Sequence, residues 1–442
     1  SAGFDAEGLA KGVELGDYGL KQGDLTELKR LFEHATTFGA LIQVPEAVAA
    51  KLPALRQLSE ADSPDMFVSE TLKRLGPLVQ QAELLAAQYN AVVANPPYMG
   101  SRGMNELARD LAKVHFPDAK SDLFACFIER GLALAKSPGY HAMVTMQSWM
   151  FLASFEAMRK RILEEKTIRT LAHLSNGVQV GFGSAATVLL NCRISGYIAR
   201  FSYTSLEDLN ARREPREFPV SNARLKSVAQ EALTRIPGSP IAYWVGDAIG
   251  QLFRDGELLG DIGTPCNGMN TTNNAKFVRY WGEVDSEKFG IGCGSAQEAL
   301  RSKKKWFPYN KGGGFRKWYG NNYSVVNYEN GGKSICDYID HESGSRVSSS
   351  GRVINRDKYF KKSITWSSVG GTIFSSRCCP PGFIFDNGGS SLFCDDVHYD
   401  CIAAFLGTKI AFEILKLLNP TLNFQPGNLA TLPIDRGRLQ KH

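Results

Sequence analysis

At 442 residues, with 43% hydrophobic and 22% charged side chains, the sequence has ample apolar content for cores in two or three domains, which excludes wholesale disorder. Its formal charge of +6, from 51 basic and 45 acidic residues, permits a polyanionic partner without demanding one. No apolar run reaches transmembrane length and no signal peptide is present, so no membrane partner is expected.

The nine cysteines include no C-x-x-C pair, which suits a reducing cytoplasm. Cys394, His398 and Cys401, with Cys378 or Cys379 as a fourth ligand, lie close together, but their spacing matches no common zinc motif. Free buried thiols and no metal are expected.

In chain order, residues 1–88 read as mostly helical. Leu28, Leu31, Phe32 and the stretch 67–85 carry apolar residues at helical spacing. A short extended piece is expected at 36–44, and Ser63-Pro64 marks a helix start. This stretch shows no glycine loop suited to a phosphate and no acidic residue after a strand.

Residues 91–94 then form a short apolar run, expected as a buried strand, that ends at Asn95-Pro96-Pro97-Tyr98. The carboxyl edge of an open α/β sheet is where ligands bind. Two prolines donate no backbone N–H and leave nearby carbonyls as acceptors. The Asn95 amide adds an acceptor and Tyr98 a flat aromatic face, a set suited to holding a planar heterocycle by its exocyclic amine. Pro-Pro also marks plain turns, and that reading competes.

Beyond it, 105–114 reads as a helix, and Ser121 or Asp122 caps another that runs to about Lys136. Residues 140–146 are a second strand, with Gln147 to Met150 at the same carboxyl edge. A helix over 154–166, a strand over 168–174, a Gly-rich turn over 177–183 and a strand over 186–194 follow. This order predicts a mostly parallel sheet with an antiparallel end. From about Ser205, Gly, Asn, Ser and aromatics rise, and the charged hinge 210–217 places a domain boundary at 204/205. Segments 261–279 and 306–323 read as loops, 364–385 as strands and 399–418 as one amphipathic helix.

Asn-Pro-Pro-Tyr at a strand end resembles the signature of amino-group methyltransferases, above all N6-adenine DNA methyltransferases. Phe38-Gly-Ala-Leu-Ile-Gln43, Ser121-Asp-Leu-Phe124 and the segments 143–155, 306–312, 315–322 and 419–424 extend the likeness. Together they resemble the adenine-specific methyltransferases of BREX phage-defence systems (PglX-type), with type IIG single-chain restriction–methylation enzymes as near relatives. The resemblance implies an α/β fold. A helical segment, 1–88, leads into 89–204, the carboxyl-side part of a Rossmann-like methyltransferase sheet with an antiparallel end. A mixed α+β target-recognition domain follows at 205–442.

It also implies S-adenosylmethionine as cofactor, double-stranded DNA as partner and other phage-defence proteins as further partners. Asn95 Oδ1 and the Pro96 carbonyl would accept the N6 hydrogens of a flipped adenine, in the rigid turn that Pro97 completes. Tyr98 would stack on one face of the base and Phe182 on the other, although Phe182 equally suits packing in its turn. Asp122 and Phe124 fall in the segment between cofactor and base, with a plain helix cap as the competing role for Asp122. In the second domain Lys303, Lys304, Lys305, Trp306, Lys311, Arg316, Lys317, Trp318 and Tyr319 interleave cations with aromatics, the composition of a DNA-contacting surface. A solvated basic face is the plainer alternative. The Gly-rich cofactor turn of the resemblance belongs upstream of Asn95, where this chain shows none. With Ser1 in place of a starting Met, the expectation is a carboxyl-side fragment that lacks the cofactor-binding half and is inactive alone. The alternative function is a DNA-binding specificity module without catalysis of its own.

Overall fold

Helical periodicity in the first 88 residues closes a core of its own. In the computed structural model, which describes residues 4–175, 178, 183–212, 214–221, 223–369, 373–419 and 423–441, helices Gln22–Leu31, Leu52–Ser59 and Met66–Ala86 bury Leu25, Leu28, Leu55, Leu58, Leu72 and Val79 together. Asp65 caps the long helix by accepting from the Phe67 and Val68 amides. The extended piece expected at 36–44 is instead two helical turns, Ala35–Phe38 and Gly39–Leu41. Gly39, at φ 51°, makes the break between them, a conformation open to glycine.

A six-stranded sheet follows, built from β1 (Tyr89–Ala94), β2 (Ala135–Met146), β3 (Thr167–Leu174), β4 (Ser184–Leu190), β5 (Ile198–Thr204) and β6 (Lys226–Ala229), in the order β1-β2-β4-β3-β5-β6. β1 pairs parallel with β2, and β3 parallel with β5, while β4 runs antiparallel to both β2 and β3. Four strands therefore point one way and present their carboxyl ends along one edge. The expected α/β sheet is present, with four of its six strands running one way; antiparallel β4 is inserted between β2 and β3, and antiparallel β6 forms the edge. Helices Leu123–Leu134 and Glu156–Glu165 supply Phe124, Ile128, Met158 and Ile162 to its core. Elsewhere on the sheet a groove of about 430 Å³ runs over Val93, Val144, Ala172 and Val188, beside Phe218 and Pro219.

Buried Arg130 joins the helical segment to the sheet by donating to the carbonyls of Ala40 (3.0 Å) and Leu85 (2.8 Å). Burial lowers its pKa, and the two carbonyls are its compensation.

The chain divides into two compact units, Ser1–Thr234 with Gly238–Trp244, and Arg235–Pro237 with Val245–His442. The boundary expected at 204/205 falls inside the first. β5 and β6 went unread in the sequence, and their antiparallel pairing makes 205–225 a connection within one sheet.

In the second unit β7 (Glu257–Leu258) pairs with β16 (Pro433–Ile434). Two four-stranded sheets carry the remainder. One has the order β14-β10-β11-β9, from β9 (Val278–Tyr280), β10 (Trp306–Asn310), β11 (Ser324–Asn327) and β14 (Ile384–Phe385). The other has the order β13-β12-β15-β8, from β8 (Thr264–Cys266), β12 (Ser363–Trp366), β13 (Ser376–Cys379) and β15 (Ser391–Phe393). Residues 306–310, expected in a loop, are thus a strand, with Phe307 and Tyr309 in the core. The helix expected over 399–418 is two, Asp396–Leu406 and Lys409–Leu418, because Thr408 caps the second by accepting from the Ala411 amide. All nine cysteines are free thiols, and the His398 ring is taken up by Asp395 and Arg436.

Candidate active site and nucleic-acid surface

Ala94, the last residue of β1, pairs with Met143 of β2, so Asn95 leaves the sheet level with Val144. Pro96 is buried and pins the turn, while Asn95 is exposed. The half-buried Tyr98 folds back over the strand ends. Its hydroxyl lies 2.9 Å from Asn95 Oδ1 and 3.1 Å from the Val144 carbonyl oxygen. Burial raises the Tyr98 pKa, so the phenol keeps its proton and acts as donor. Asn95 is thereby oriented with Oδ1 as acceptor, which retains a second lone pair.

Behind Tyr98 stands a clamp. Asp122 Oδ1 accepts from the Met99 amide (2.9 Å) and the Phe124 amide (3.3 Å), and the Leu123 amide donates to the Met99 carbonyl (3.0 Å). Burial pushes the Asp122 carboxyl up while those backbone amides pull it down. Phe124 is fully buried, edge-on to Tyr98 at 6.2 Å and against Phe155 at 5.6 Å. Asp122 thus caps its helix and holds the turn, and Phe124 shows no open face to a cofactor. Phe182 lies outside the described residues.

The carboxyl ends of β2 and β3 carry groups the sequence did not single out for a role. His173 places Nδ1 3.1 Å from the Tyr243 hydroxyl and bonds Gln147 Oε1 through Nε2. Tyr203, Trp244 and Phe151 surround its ring at 5.0, 6.0 and 6.1 Å. Arg159, only 1% exposed, donates to the carbonyls of Trp149 (2.9 Å), Leu152 (2.6 Å) and Gly238 (2.7 Å). It thereby fixes the turn Gln147–Met150 against the segment 238–244. Burial lowers its pKa to about 10, so it remains a cation at neutral pH.

Burial also lowers the pKa of His141 and of His173 from 6.5 to about 4. Between those values the unfolded chain takes up protons that the folded one refuses. Stability therefore falls as pH drops from 6.5 towards 4, by up to about 1.4 kcal/mol per pH unit for each imidazole. Asp122 and Glu129, with carboxyl pKa values raised by burial, oppose this at the acid end. Urea midpoints at pH 7 and pH 5 should show the loss, and His141→Leu should roughly halve it. An unchanged pH dependence in the variant would contradict the assignment.

In the second unit the basic and aromatic candidates separate. Phe315, Trp318 and Tyr319 are 53%, 51% and 69% exposed, alongside exposed Arg316 and Lys317. Their loop is moored at Trp318, which donates through its amide to the Ser376 carbonyl (3.1 Å) and accepts from the Cys378 amide (2.9 Å). Lys317 lies over the Trp318 ring at 5.4 Å. Lys311 is committed elsewhere, 3.1 Å from Asp386, whose carboxylate also accepts from buried Tyr309. Lys304 donates to the Glu287 carbonyl and Lys305 lies over Trp306 at 5.8 Å, while Lys303 is exposed on a turn at φ 55°. Tyr280 and Trp281, 64% and 59% exposed at the end of β9, were not among the candidates.

Before β1 the described residues hold helices and turns and no strand, so the strand-to-helix glycine turn of the resemblance is not among them. Gly12 ends a helix and Gly16 lies in a 3-10 turn.

Residues 24–180 match the Eco57I restriction-modification methylase family. The chain is 38% identical over 419 residues to the adenine-specific methyltransferase BrxX of Escherichia coli O9:H4 (strain HS), covering 91% of this chain and 33% of that protein. It is 37% identical over 371 residues to the adenine-specific methyltransferase PglX of Lacticaseibacillus casei (strain Zhang), covering 81% of this chain and 30% of that one. Among solved structures, the type IIL restriction-modification enzyme MmeI in complex with DNA aligns over 93% of this chain and 64% of its own, at 9% identity and a TM-score of 0.47. Over most of its length the chain is similar to the BrxX and PglX adenine-specific methyltransferases, of which it spans about a third, and its residues 24–180 match the Eco57I methylase family.

Proposed function

We propose that this chain is the amine-holding and DNA-contacting part of a site-specific DNA adenine-N6 methyltransferase of a BREX phage-defence or restriction–modification system. The observation that carries the proposal is Asn95 at the carboxyl end of β1, with its Oδ1 oriented by the protonated Tyr98 hydroxyl. A flipped adenine offers two N6 hydrogens, which Asn95 Oδ1 and the Pro96 carbonyl accept. These acceptors keep the nitrogen lone pair available and stabilise the positive charge that grows on N6 as it attacks. No strong base is needed beside the motif. S-adenosylmethionine is the methyl donor this reading implies, and the groups that would cradle it are not among the described residues.

Genomic sequencing tests this. Long-read detection should find N6-methyladenine in a host with the full-length gene and far less with its Asn95→Ala variant, and undiminished methylation in the variant overturns the proposal. The partner is duplex DNA, contacted by the exposed loop 315–319, and the other components of the defence system are further partners. Arg316→Ala with Lys317→Ala should weaken DNA binding and reduce the slope of log K against log salt by about two, if each meets a phosphate. Lys311→Ala should leave that slope unchanged, because its charge is already paired with Asp386. Equal slopes in all three proteins would remove this loop from the interface. A DNA-binding specificity module without catalysis is the second reading, favoured by the helix-only stretch before β1.

A further inference from the structure

Gln147 is the first residue after β2, four positions beyond Met143, the register partner of Ala94. Tyr98 reaches this same strand end through its hydroxyl on the Val144 carbonyl. The Gln147 amide donates to the Gly183 carbonyl (3.0 Å). A Cβ placed on Gly183 would fall 2.3–2.4 Å from the Gln147 carboxamide atoms, so the carboxamide lies flat over that glycine and tolerates no side chain there. Its oxygen meets His173 Nε2, and Tyr243 meets His173 Nδ1.

The proton positions follow from the order of this relay. The Tyr243 phenol, whose pKa burial raises strongly, donates to Nδ1. The neutral imidazole then carries its proton on Nε2 and donates to Gln147 Oε1. With Oε1 turned to His173, the half-buried carboxamide directs its NH2 the other way, and no partner for it is found among the described residues.

We infer that Gln147 is a base-reading residue, whose NH2 donates to the ring nitrogen beside the exocyclic amine of the flipped base. The inference rests on the methyltransferase reading above. An acceptor at Asn95 with a donor at Gln147 matches an amino group beside an unprotonated ring nitrogen, as N6 with N1 or N7 in adenine. Thymine, and guanine on its N1 edge, offer a carbonyl beside an N–H and are opposed at both positions, whereas guanine on its N7 edge is opposed only at Asn95. Cytosine shows the same pattern as adenine, so this pair selects aminated bases and leaves ring size to the stacking aromatics. His173 is a positioning residue that fixes which way the carboxamide points.

The test uses the full-length enzyme on duplexes containing its own methylated site, with adenine, 1-deazaadenine or 7-deazaadenine at the target. Wild type should lose about ten- to hundredfold in kcat/KM on one of the two deaza substrates, and Gln147→Leu should lose a similar factor on adenine. On that deaza substrate Gln147→Leu should cost nothing further, because the acceptor is already gone. His173→Phe should show a smaller loss that vanishes on the same substrate. Equal losses by Gln147→Leu on all three substrates would mean a folding role and overturn the inference, as would full activity of the variant or indifference of wild type to both analogues. Asn95→Ala separates the two levels. If Asn95→Ala is inactive while Gln147→Leu is unaffected, only this inference falls. Full activity of Asn95→Ala overturns the amine-holding reading, and the Gln147 inference with it.

Discussion

Asn95→Ala in the full-length protein is expected to lower methyl transfer by about 10²–10³-fold while duplex binding is retained, because one preorganised acceptor at the reacting nitrogen is lost. The side chain is exposed and bonds Tyr98, so truncation at this site should cost the fold little. Two further substitutions separate its roles. Asn95→Asp keeps an oxygen acceptor that Tyr98 can orient, so measurable activity should remain. Tyr98→Phe keeps the ring and removes the hydroxyl on Asn95 Oδ1, so it should lose about tenfold, the scale of one hydrogen bond. Single-turnover methylation on a duplex with the native site distinguishes these cases. Equal inactivity of all three variants would point to collapse of the turn. Near wild-type rates in Asn95→Ala would remove this residue from the chemistry.

The site was legible where local rules act and obscure where distant chain segments meet. Two prolines at the end of an apolar run announce a rigid strand terminus, and an Asp before a helix announces a cap. Asn95 and Asp122 follow from those rules alone. The hydroxyl of Tyr98 on Asn95 depends on how the Pro-Pro turn folds back, which spacing does not express. β5 was missed because it pairs with Thr170–Leu174, from which β4 separates it in sequence, and its own seven residues mix Arg, Ser and Thr among the apolar ones. The loop expected at 306–310 failed for a similar reason, since only its neighbours β11 and β14 show that Phe307 and Tyr309 face a core. Charge was hardest to read. Lys311, one of the cations interleaved with aromatics, is paired inward with Asp386, while Arg316 and Lys317 a few residues later are exposed.

Arg159 shows that difficulty in its sharpest form and carries the largest expected effect on stability. It stands in the run Met158-Arg-Lys-Arg161, which reads as the basic side of an amphipathic helix. Lys160 pairs with Glu156 and Arg161 with Asp118 and Glu129, both partly exposed, whereas Arg159 turns inward onto three carbonyls. Arg159→Met should therefore destabilise the first unit by roughly 2–4 kcal/mol, since it strands three buried carbonyl acceptors. For a unit of this size that lowers its melting temperature by about 4–16 °C. Arg161→Met loses one partly exposed pair and one to the largely buried Glu129, so it should cost less, about 1–2 kcal/mol. Arg159→Lys keeps the charge but lacks the fork that reaches Trp149, Leu152 and Gly238 together, so it should fall between the two. Thermal melts monitored by Trp fluorescence compare the three, and an Arg159→Met protein as stable as Arg161→Met would contradict the carbonyl cage. The consequence reaches the site, because the Trp149 and Leu152 carbonyls lie just past Gln147. A buried helix residue thus holds in place the strand end that carries Gln147.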